Sequence, residues 1–316
     1  MANIPELKRG VLDSITDAIG NTPIVRLNNL TEGLEAEVDV KIESFNPTGS
    51  VKDRVAVAMI EDAEEKGLIN EDTLIIEPTS GNTGVGLAWI SRVKGYEAII
   101  VMPDSMSVER QSLLRASGAR LVLTPGAQGM KGAISEAERL CNETPGAVIL
   151  GQFTNPANAE AHELTTGEEI WQDTDGQVDI FVAGVGTGGT LTGTARTLKK
   201  HNPQIRIVAV EPADSAVLSG GKAGAHGLQG IGAGFIPEIL DTNLIDEVIR
   251  VTDEEAYLAG RQLSATEGLL TGISSGAAVH AAMQLALRPE NKGKRIVVLL
   301  PDTGERYLST KLFMSE

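Results

Sequence analysis

The sequence has few of the residues that build disulfides and metal centres. Cys141 is the single cysteine among 316 residues, so no disulfide can form within the chain, which fits a reducing compartment. The four histidines are scattered and show no metal-ligand spacing; they are His162, His201, His226 and His280. The sequence therefore predicts neither a disulfide framework nor a metal site.

Positive charge and long apolar runs are also scarce. Lysine and arginine number 27 against 43 aspartates and glutamates, which gives a net charge of -16. Because no basic run interrupts this excess of acid, the sequence argues against nucleic acid as a partner. No stretch is apolar enough for a membrane span, and residues 1–10 lack the apolar core of a secretion signal. We therefore expect a cytoplasmic protein that binds neither nucleic acid nor membrane.

What the chain does contain is an alternation of short β-branched runs with helical patterns. The predicted strands are 37–43, 73–77, 98–102, 120–123, 147–150, 179–185, 205–210, 247–251 and 295–300. The predicted helices are 51–66, 83–94, 107–117, 129–143, 158–171, 190–200, 253–266 and 275–287. Such alternation is typical of α/β proteins with mainly parallel sheets. Nine strands are too many for one open sheet here, so we expect two doubly wound domains, a boundary near 151–156, and a site in the cleft between them.

One lysine stands at a predicted entry from loop to helix. Pro47, Gly49 and Ser50 interrupt the preceding strand, and Ser50 can cap a helix whose first turn contains Lys52. An ammonium is destabilised near the positive end of a helix, and a lowered pKa is what a lysine needs to attack a carbonyl group. The local pattern also fits an ordinary lysine paired with Asp53, so other segments must decide.

A glycine-rich loop follows the predicted strand 179–185 and opens the next helix. It reads Gly186-Thr187-Gly188-Gly189-Thr190. Bare amides at a helix start, together with the hydroxyls of Thr187 and Thr190, favour a phosphate ligand. A glycine turn that merely packs the helix against the strand would have the same pattern.

The same segment also matches a dinucleotide fingerprint. Gly184, Gly186 and Gly189 have the G-x-G-x-x-G spacing, and Glu211 ends the following strand where a ribose-binding acid would lie. Against this interpretation, Pro212 follows Glu211 directly, and a dinucleotide leaves Lys52 without a role. An NAD-binding Rossmann oxidoreductase is the alternative from a different class.

A second loop with the features of an anion site follows the strand 73–77. It reads Pro78-Thr79-Ser80-Gly81-Asn82-Thr83 and again opens a helix. Hydroxyls, an amide and main-chain N–H groups in one turn suit a carboxylate, although a helix cap with a turn is the simpler reading of Thr79 or Ser80 alone.

The segment Gly272-Ile273-Ser274-Ser275-Gly276 satisfies the G-x-S-x-G pattern of a hydrolase. An α/β-hydrolase needs an acid and then a histidine after the serine, and this chain has no histidine after Asp302. Ser274 is better interpreted as a hydrogen-bonding group at a helix start.

Taken in order, these motifs resemble the β-family, or fold type II, of pyridoxal-phosphate (PLP) enzymes, and within it the cysteine synthases (O-acetylserine sulfhydrylases). The resemblance runs from Gly20-Asn21-Thr22-Pro23 to the segment 304–310 and so covers nearly the whole chain. The segments 230–237 and 301–306 are similar to the A-type enzymes.

The resemblance implies a role for each motif. Lys52 would bind the cofactor covalently and transfer the proton, Asn82 would hold its phenolic oxygen, and Ser274 would meet its pyridine nitrogen. The cofactor phosphate would be held by Gly186, Thr187, Gly188, Gly189 and Thr190. The amino-acid carboxylate would be bound by Thr79, Ser80, Gly81, Thr83 and Gln152.

The implied reaction is a β-replacement that converts O-acetyl-L-serine and sulfide to L-cysteine and acetate, the final step of cysteine biosynthesis. A related β-replacement that makes β-cyanoalanine or cystathionine stays open. The implied domains are a smaller one, residues 46–156 with 1–12, and a larger phosphate-binding one, residues 157–316 with 13–45, which would close on each other when the carboxylate binds. A homodimer and an interaction with the C-terminal tail of serine acetyltransferase also follow from the resemblance.

Overall fold

The computed structural model describes residues 10–79, 81–106 and 108–314. Its strands are β1 (Ile24–Arg26), β2 (Glu37–Ile42), β3 (Leu74–Pro78), β4 (Glu97–Pro103), β5 (Arg120–Thr124), β6 (Val148–Ile149), β7 (Ile180–Gly184), β8 (Arg206–Pro212), β9 (Glu247–Val251) and β10 (Arg295–Leu300). Its α-helices are α1 (Lys52–Glu65), α2 (Asn82–Lys94), α3 (Val108–Ala116), α4 (Gly129–Glu143), α5 (Ala157–Ala161), α6 (Gly167–Asp173), α7 (Gly189–His201), α8 (Asp253–Gln262) and α9 (Ile273–Ala286). The predicted first residue of α3, Ser107, lies outside the described residues.

The strands form two sheets. The larger sheet has the order β1-β2-β10-β7-β8-β9, and all its neighbours are parallel except the edge strand β1, which pairs antiparallel with β2. The smaller sheet has the order β5-β4-β3-β6 and is parallel throughout. The predicted α/β fold with mainly parallel sheets is confirmed. The domain limits stay a prediction, and residues 1–9 of the smaller predicted domain lie outside the described residues.

Helices cover both faces of each sheet, which explains the near-continuous apolar strands. Residues 296–300 of β10 are all buried, because α9 packs on one side of the larger sheet and α7 on the other. In the smaller sheet, Ile75 of β3 faces α1 and α2, whereas its neighbour Ile76 faces α4. Side chains that alternate across a strand therefore enter two different cores.

Two of the predicted helices contain a π-helical segment. Residues 158–171, predicted as one helix, are divided into α5, a π-helical segment His162–Thr166, and α6. The predicted helix 253–266 is divided into α8 and the π-helical segment Leu263–Glu267 that follows it. One inserted residue leaves the apolar periodicity nearly unchanged, so the pattern could not reveal it. Within the described parts of the chain, no helix is long and apolar enough to cross a membrane.

A buried group of ionised side chains joins α1 to the larger sheet. Arg54 Nε donates to Glu43 Oε2 over 2.8 Å, and Arg54 Nη1 donates to Glu169 Oε1 over 2.6 Å. Lys41 Nζ lies 2.8 Å from the other oxygen of Glu169. The guanidinium overcomes the effect of burial on both carboxyl groups and holds the pKa of Glu43 and of Glu169 below the usual range. Helix α1 is therefore fixed by charge as well as by its apolar face.

The carboxyl end of β3 carries a second buried acid. Glu77 accepts hydrogen bonds from the main-chain N–H groups of Gly151 (3.1 Å) and Gln152 (3.2 Å). Burial disfavours the carboxylate more than these hydrogen bonds stabilise it. Burial therefore raises the pKa of Glu77 to about 7. Glu77 thus ties the end of β3 to the segment that carries Gln152.

We expect Arg54→Met to lower the free energy of unfolding by about 3–5 kcal/mol, because it leaves Glu43 as a buried charge without its partner. Urea unfolding measures the change. The matched control is Arg139→Met on the exposed side of α4, where the ion pairs with Glu136 and Glu143 are solvated. That control should cost about 0.5 kcal/mol or less. Equal losses in the two variants would contradict the buried network.

We expect the stability of the wild-type protein, measured against Glu77→Gln, to fall as pH rises from about 5 to about 8. The folded-state pKa of Glu77 lies above the ordinary value of 4.5, so between the two values the folded state holds a proton that the unfolded state has lost. The stabilising contribution is complete below the ordinary value and is lost through the folded pKa, with a slope approaching about 1.4 kcal/mol per pH unit. Urea unfolding of both proteins across this range checks it, and parallel pH profiles would refute it.

Candidate active site

Lys52 is the first residue of α1, and the end of β10 holds its loop in place. Ser50 Oγ accepts a hydrogen bond from the main-chain N–H of Lys52 at 3.2 Å. The N–H of Val51 donates to the carbonyl of Pro301 at 2.8 Å, and Ser50 forms a β-bridge with Asp302. The Lys52 side chain is partly buried, and this burial lowers its pKa, against the opposing effect of the Asp302 carboxylate. The direction agrees with the sequence-based expectation.

The glycine-rich loop leaves a helix start open to an anion. Helix α7 begins at Gly189, and its N-cap residue Gly188, with φ +86°, supplies no side-chain cap. A Cβ on Gly186 would lie 2.3 Å from the carbonyl oxygen of Gly230, and a Cβ on Gly189 would lie 2.1 Å from Oδ1 of Asn158. Side chains are therefore excluded. Apart from the N–H of Gly189, which makes a long contact of 3.5 Å with Thr187 Oγ1, the first-turn N–H groups remain available to a phosphate.

Both threonines of this loop have a buried partner behind them. Thr187 Oγ1 accepts a hydrogen bond from Asn158 Nδ2 at 3.0 Å. Thr190 Oγ1 lies 3.2 Å from Nε2 of His162, whose Nδ1 lies 2.9 Å from Thr166 Oγ1. Burial lowers the pKa of His162 to about 3, so the imidazole is neutral. The hydroxyl of Thr187, already an acceptor, keeps its hydrogen for another partner.

The second predicted anion loop also opens a helix without a side-chain cap. Helix α2 begins at Asn82, and its N-cap residue is Gly81. Thr83 Oγ1 donates to Gln152 Oε1 at 2.6 Å, so two predicted substrate-binding residues meet although they are 69 positions apart. Thr79 is buried beside them, while Ser80 lies outside the described residues. With its oxygen engaged, the Gln152 amide presents N–H groups.

The carboxamide of Asn82 is held at both ends. Its Nδ2 donates to Asp302 Oδ2 at 2.7 Å, and its Oδ1 accepts from Arg306 Nη1. Asp302 also accepts from the hydroxyl of Tyr307 at 2.5 Å. One hydrogen of the Asn82 amide stays available for a ligand. Sequence reasoning assigned no role to Asp302 or Arg306, although both lie in the segment that supported the A-type resemblance.

Ser274 lies in the first turn of α9, again after an uncapped glycine, Gly272. The N–H of Gly272 donates to the carbonyl of Asp302 at 3.1 Å. Ser274 Oγ lies 3.6 Å from where a Cβ on Gly230 would stand, and Gly230 also borders the glycine-rich loop at Gly186. The segments of Lys52, Asn82 and Ser274 therefore meet around Asp302, between the two sheets.

Asn158 and Glu77 are further residues of the site that sequence reasoning missed. Each is a buried polar side chain whose partners are residues of the predicted anion loops or their neighbours. The sequence gave no local signal for either residue, because Asn158 begins a predicted helix and Glu77 ends a predicted strand, where polar residues are common.

The dinucleotide interpretation fails at Glu211. Its buried carboxylate accepts hydrogen bonds from the N–H groups of Leu218 (2.8 Å) and Ser219 (3.0 Å), which follow it in the chain. An acid that must bind a ribose cannot be occupied by its own loop. Among the described residues, no group of three or more histidine, cysteine, aspartate or glutamate side chains is placed to hold a metal ion.

The donor set fits PLP. An uncapped helix start lined by glycines suits the phosphate, a lysine of lowered pKa suits the carbonyl carbon, and a carboxamide and a hydroxyl remain for the ring oxygen and nitrogen. All described residues of the predicted set lie in the loops and helix starts between the two sheets.

Comparisons with known proteins agree with this geometry. The family model described as "Pyridoxal-phosphate dependent enzyme" matches residues 15–302. A cysteine synthase of Staphylococcus aureus (strain Mu50) is 54% identical over 303 residues, which cover 96% of this chain and 97% of the relative. A solved cysteine synthase of Entamoeba histolytica is 44% identical, with a TM-score of 0.95 over 100% of this chain and 95% of the other.

A solved O-ureido-L-serine synthase is also similar, with 44% identity and a TM-score of 0.92 over 96% of each chain. The resemblance seen in the motifs is confirmed, and the Rossmann oxidoreductase alternative is set aside. The chain belongs to the family of pyridoxal-phosphate dependent enzymes.

Proposed function

We propose that this protein catalyses the β-replacement that converts O-acetyl-L-serine and sulfide to L-cysteine and acetate, as the last step of cysteine biosynthesis. The observation that carries the proposal is the pair of helix starts without a side-chain cap, α7 and α2, in a chain that also places Lys52 at the start of α1. One suits the phosphate of the cofactor and the other suits the carboxylate of an amino acid. The cysteine synthase relative supports this choice of substrates.

The assignment of cofactor contacts follows the family resemblance, and the donor set supports it. When bound, PLP withdraws electrons from Cα of the amino acid, which allows loss of the Cα proton and of the β-substituent. Residues 186–190 would hold the phosphate, Asn82 the phenolic oxygen and Ser274 the pyridine nitrogen. A neutral serine, unlike an aspartate, does not enforce a protonated ring, which favours elimination over transamination.

Lys52 has two tasks in the proposed reaction. Its Nζ would hold the cofactor covalently, which requires a neutral amine, and burial favours the neutral amine by lowering the pKa. The same amine, when free, would take up the Cα proton of the amino acid. Residues 301 and 302 hold the main chain of the loop that precedes Lys52, so the point from which its side chain extends is fixed.

The substrate carboxylate is assigned to the loop 79–83 and Gln152. The start of α2 and the amide of Gln152 both present N–H groups, and the bond from Thr83 to Gln152 keeps them together. Ser80, outside the described residues, belongs to the same proposed set. Carboxylate binding at this loop would draw the smaller sheet toward the larger one and exclude water from the reacting carbon atoms.

A β-replacement with another nucleophile is the second candidate. The similarity of the O-ureido-L-serine synthase favours it, because a protein with that name shares this fold at the same level of identity as the cysteine synthase of Entamoeba histolytica. Initial rates with sulfide, cyanide and homocysteine, at equal O-acetylserine, distinguish the products cysteine, β-cyanoalanine and cystathionine. A higher rate with cyanide or homocysteine would replace the first candidate.

The assembly and location of the protein are also proposals. We propose a cytoplasmic homodimer that has the two domains given above and binds the C-terminal tail of serine acetyltransferase. The two separate sheets support the domains, and the A-type resemblance of 230–237 supports the tail. A monomeric mass by light scattering, or no calorimetric signal with a tail peptide, would contradict the dimer or the tail complex respectively.

We expect the purified protein to be yellow, with a visible band that shifts on addition of O-acetylserine and returns with sulfide. Lys52→Ala should lose the band of the covalently bound cofactor and lower the rate of synthesis by about 10³-fold, because one amine performs both tasks. Lys66→Ala, at the exposed end of α1, is the matched control and should keep both. A colourless wild-type protein, or near-normal synthesis by Lys52→Ala, excludes the assignment.

We expect Thr83→Val to raise the KM for O-acetylserine by about tenfold, because it removes the hydrogen bond that positions Gln152. The cofactor band without substrate should not change, whereas the fluorescence response to substrate should weaken. Thr83→Ser keeps the hydroxyl and should restore both. If valine and serine variants have the same KM as the wild type, Thr83 does not position Gln152.

A further inference from the structure

Asn158 is a buried asparagine between the two anion loops. It lies in α5, its side chain has no exposed surface, and α5 leads into the π-helical segment His162–Thr166. Its Nδ2 donates one hydrogen bond to the carbonyl of Gln152 at 2.7 Å and another to Thr187 Oγ1 at 3.0 Å. One side chain therefore contacts a residue assigned to the substrate and a residue assigned to the cofactor phosphate.

The orientation of the Asn158 amide follows from its partners. An oxygen in place of Nδ2 would face the carbonyl oxygen of Gln152, and two acceptors would repel each other. Nδ2 must therefore point toward Gln152 and Thr187. Oδ1 faces the start of α7, where a Cβ on Gly189 would lie 2.1 Å from it, and it has no hydrogen-bond partner among the described residues.

This orientation sets the direction of the Thr187 hydroxyl. Thr187 Oγ1 accepts from Asn158 Nδ2 and, at 3.5 Å, from the main-chain N–H of Gly189, so the hydroxyl directs its own hydrogen away from both donors. The hydroxyl is thus a donor toward an anion at the start of α7. Without Nδ2, the same hydroxyl could rotate inward and lose this role.

Gln152 is held in a similar way from several sides. Its main-chain N–H donates to Glu77, its carbonyl accepts from Asn158, and its side-chain oxygen accepts from Thr83. Only the side-chain N–H groups remain for a ligand. Asn158 is the member of this set that also reaches the phosphate loop.

We propose that Asn158 is a positioning residue for both anion sites, because it fixes the Thr187 hydroxyl as a donor and holds Gln152 at the substrate carboxylate. The proposal rests on the function proposed above. It also has a consequence of its own: loss of Nδ2 weakens phosphate binding and substrate binding together, although Asn158 belongs to neither set of assigned ligand-binding residues.

The test uses Asn158→Ala and Asn158→Asp. Calorimetry of the apo-protein measures the dissociation constants of inorganic phosphate and of PLP, and absorbance of the holo-protein measures half-saturation by O-acetylserine. Asn158→Ala should weaken phosphate binding by about tenfold and raise half-saturation by a similar factor. Asn158→Asp should weaken phosphate binding by about 100-fold, because a carboxylate adds negative charge and draws the Thr187 hydrogen inward.

Asn291→Ala is the matched control. Asn291 is equally buried, and its Nδ2 donates to the main-chain carbonyl of Leu285 at 2.8 Å near the end of α9. Its loss should lower the urea midpoint as much as Asn158→Ala does, while both affinities stay within about twofold. If Asn158→Ala does the same, Asn158 is only structural and the inference is overturned, whereas the yellow colour and the Lys52→Ala result still support the proposed function.

A double-mutant cycle with Thr187→Val separates the effect of Asn158 through Thr187 from its effect through Gln152. If Asn158 acts on phosphate through Thr187, the double variant should bind phosphate no more weakly than Thr187→Val alone. Additive losses would overturn that route. Should Asn158→Ala fail to fold, Asn158→Asp decides, because it keeps the size of the side chain: unchanged phosphate affinity in that variant would overturn the inference. A wild-type apo-protein that binds neither phosphate nor PLP would contradict this inference and the proposed function together.

Discussion

Main-chain N–H groups at helix starts are the constraint on which the rest of this structure depends. Helices α2, α7 and α9 each follow a glycine that supplies no side-chain cap, and all three begin between the two sheets. Donors in such a position need partners from elsewhere. In the proposed function, a cofactor phosphate would supply partners at α7 and an amino-acid carboxylate would supply them at α2.

Charge is arranged in two layers around Lys52. Close to the amine, burial lowers the pKa, while the carboxylate of Asp302 limits that effect and also orients Asn82. The second layer is formed by Arg54, which lies on the helix that begins with Lys52. Its guanidinium forms ion pairs with Glu43 and Glu169, which lie outside that helix. The second layer holds the helix, and its Glu43 carboxylate, like Asp302, also opposes the lowering of the Lys52 pKa. Glu43 therefore serves both to hold the helix and to adjust the reactivity of the lysine.

Sequence patterns were sufficient for most of the fold. The parallel strands could be predicted from short apolar runs, because helices cover both faces of each sheet and bury both sides of each strand. Strand β1 was missed, since it has three residues at an exposed edge and pairs antiparallel. The π-helical segments were missed because one inserted residue hardly changes the periodicity of a helix.

For the site, the motifs identified loops but not the contacts between them. Asn82 and Asp302 are 220 positions apart, and nothing local to either predicts their hydrogen bond. The same holds for Asn158 and Thr187. The roles of Lys52, Ser274 and the loop residues came from the order of several motifs along the chain, because each motif alone had an ordinary structural reading.

The place of β10 in the larger sheet has a consequence for biosynthesis. This strand lies between β2 and β7, both of which are translated earlier, and the residues after it hold the loop of Lys52 and the amide of Asn82. Among the described strands β10 is the last to leave the ribosome, so the larger sheet cannot be completed before then. The contacts of residues 301 and 302 with the loop of Lys52 and with Asn82 can form only after that strand has been made.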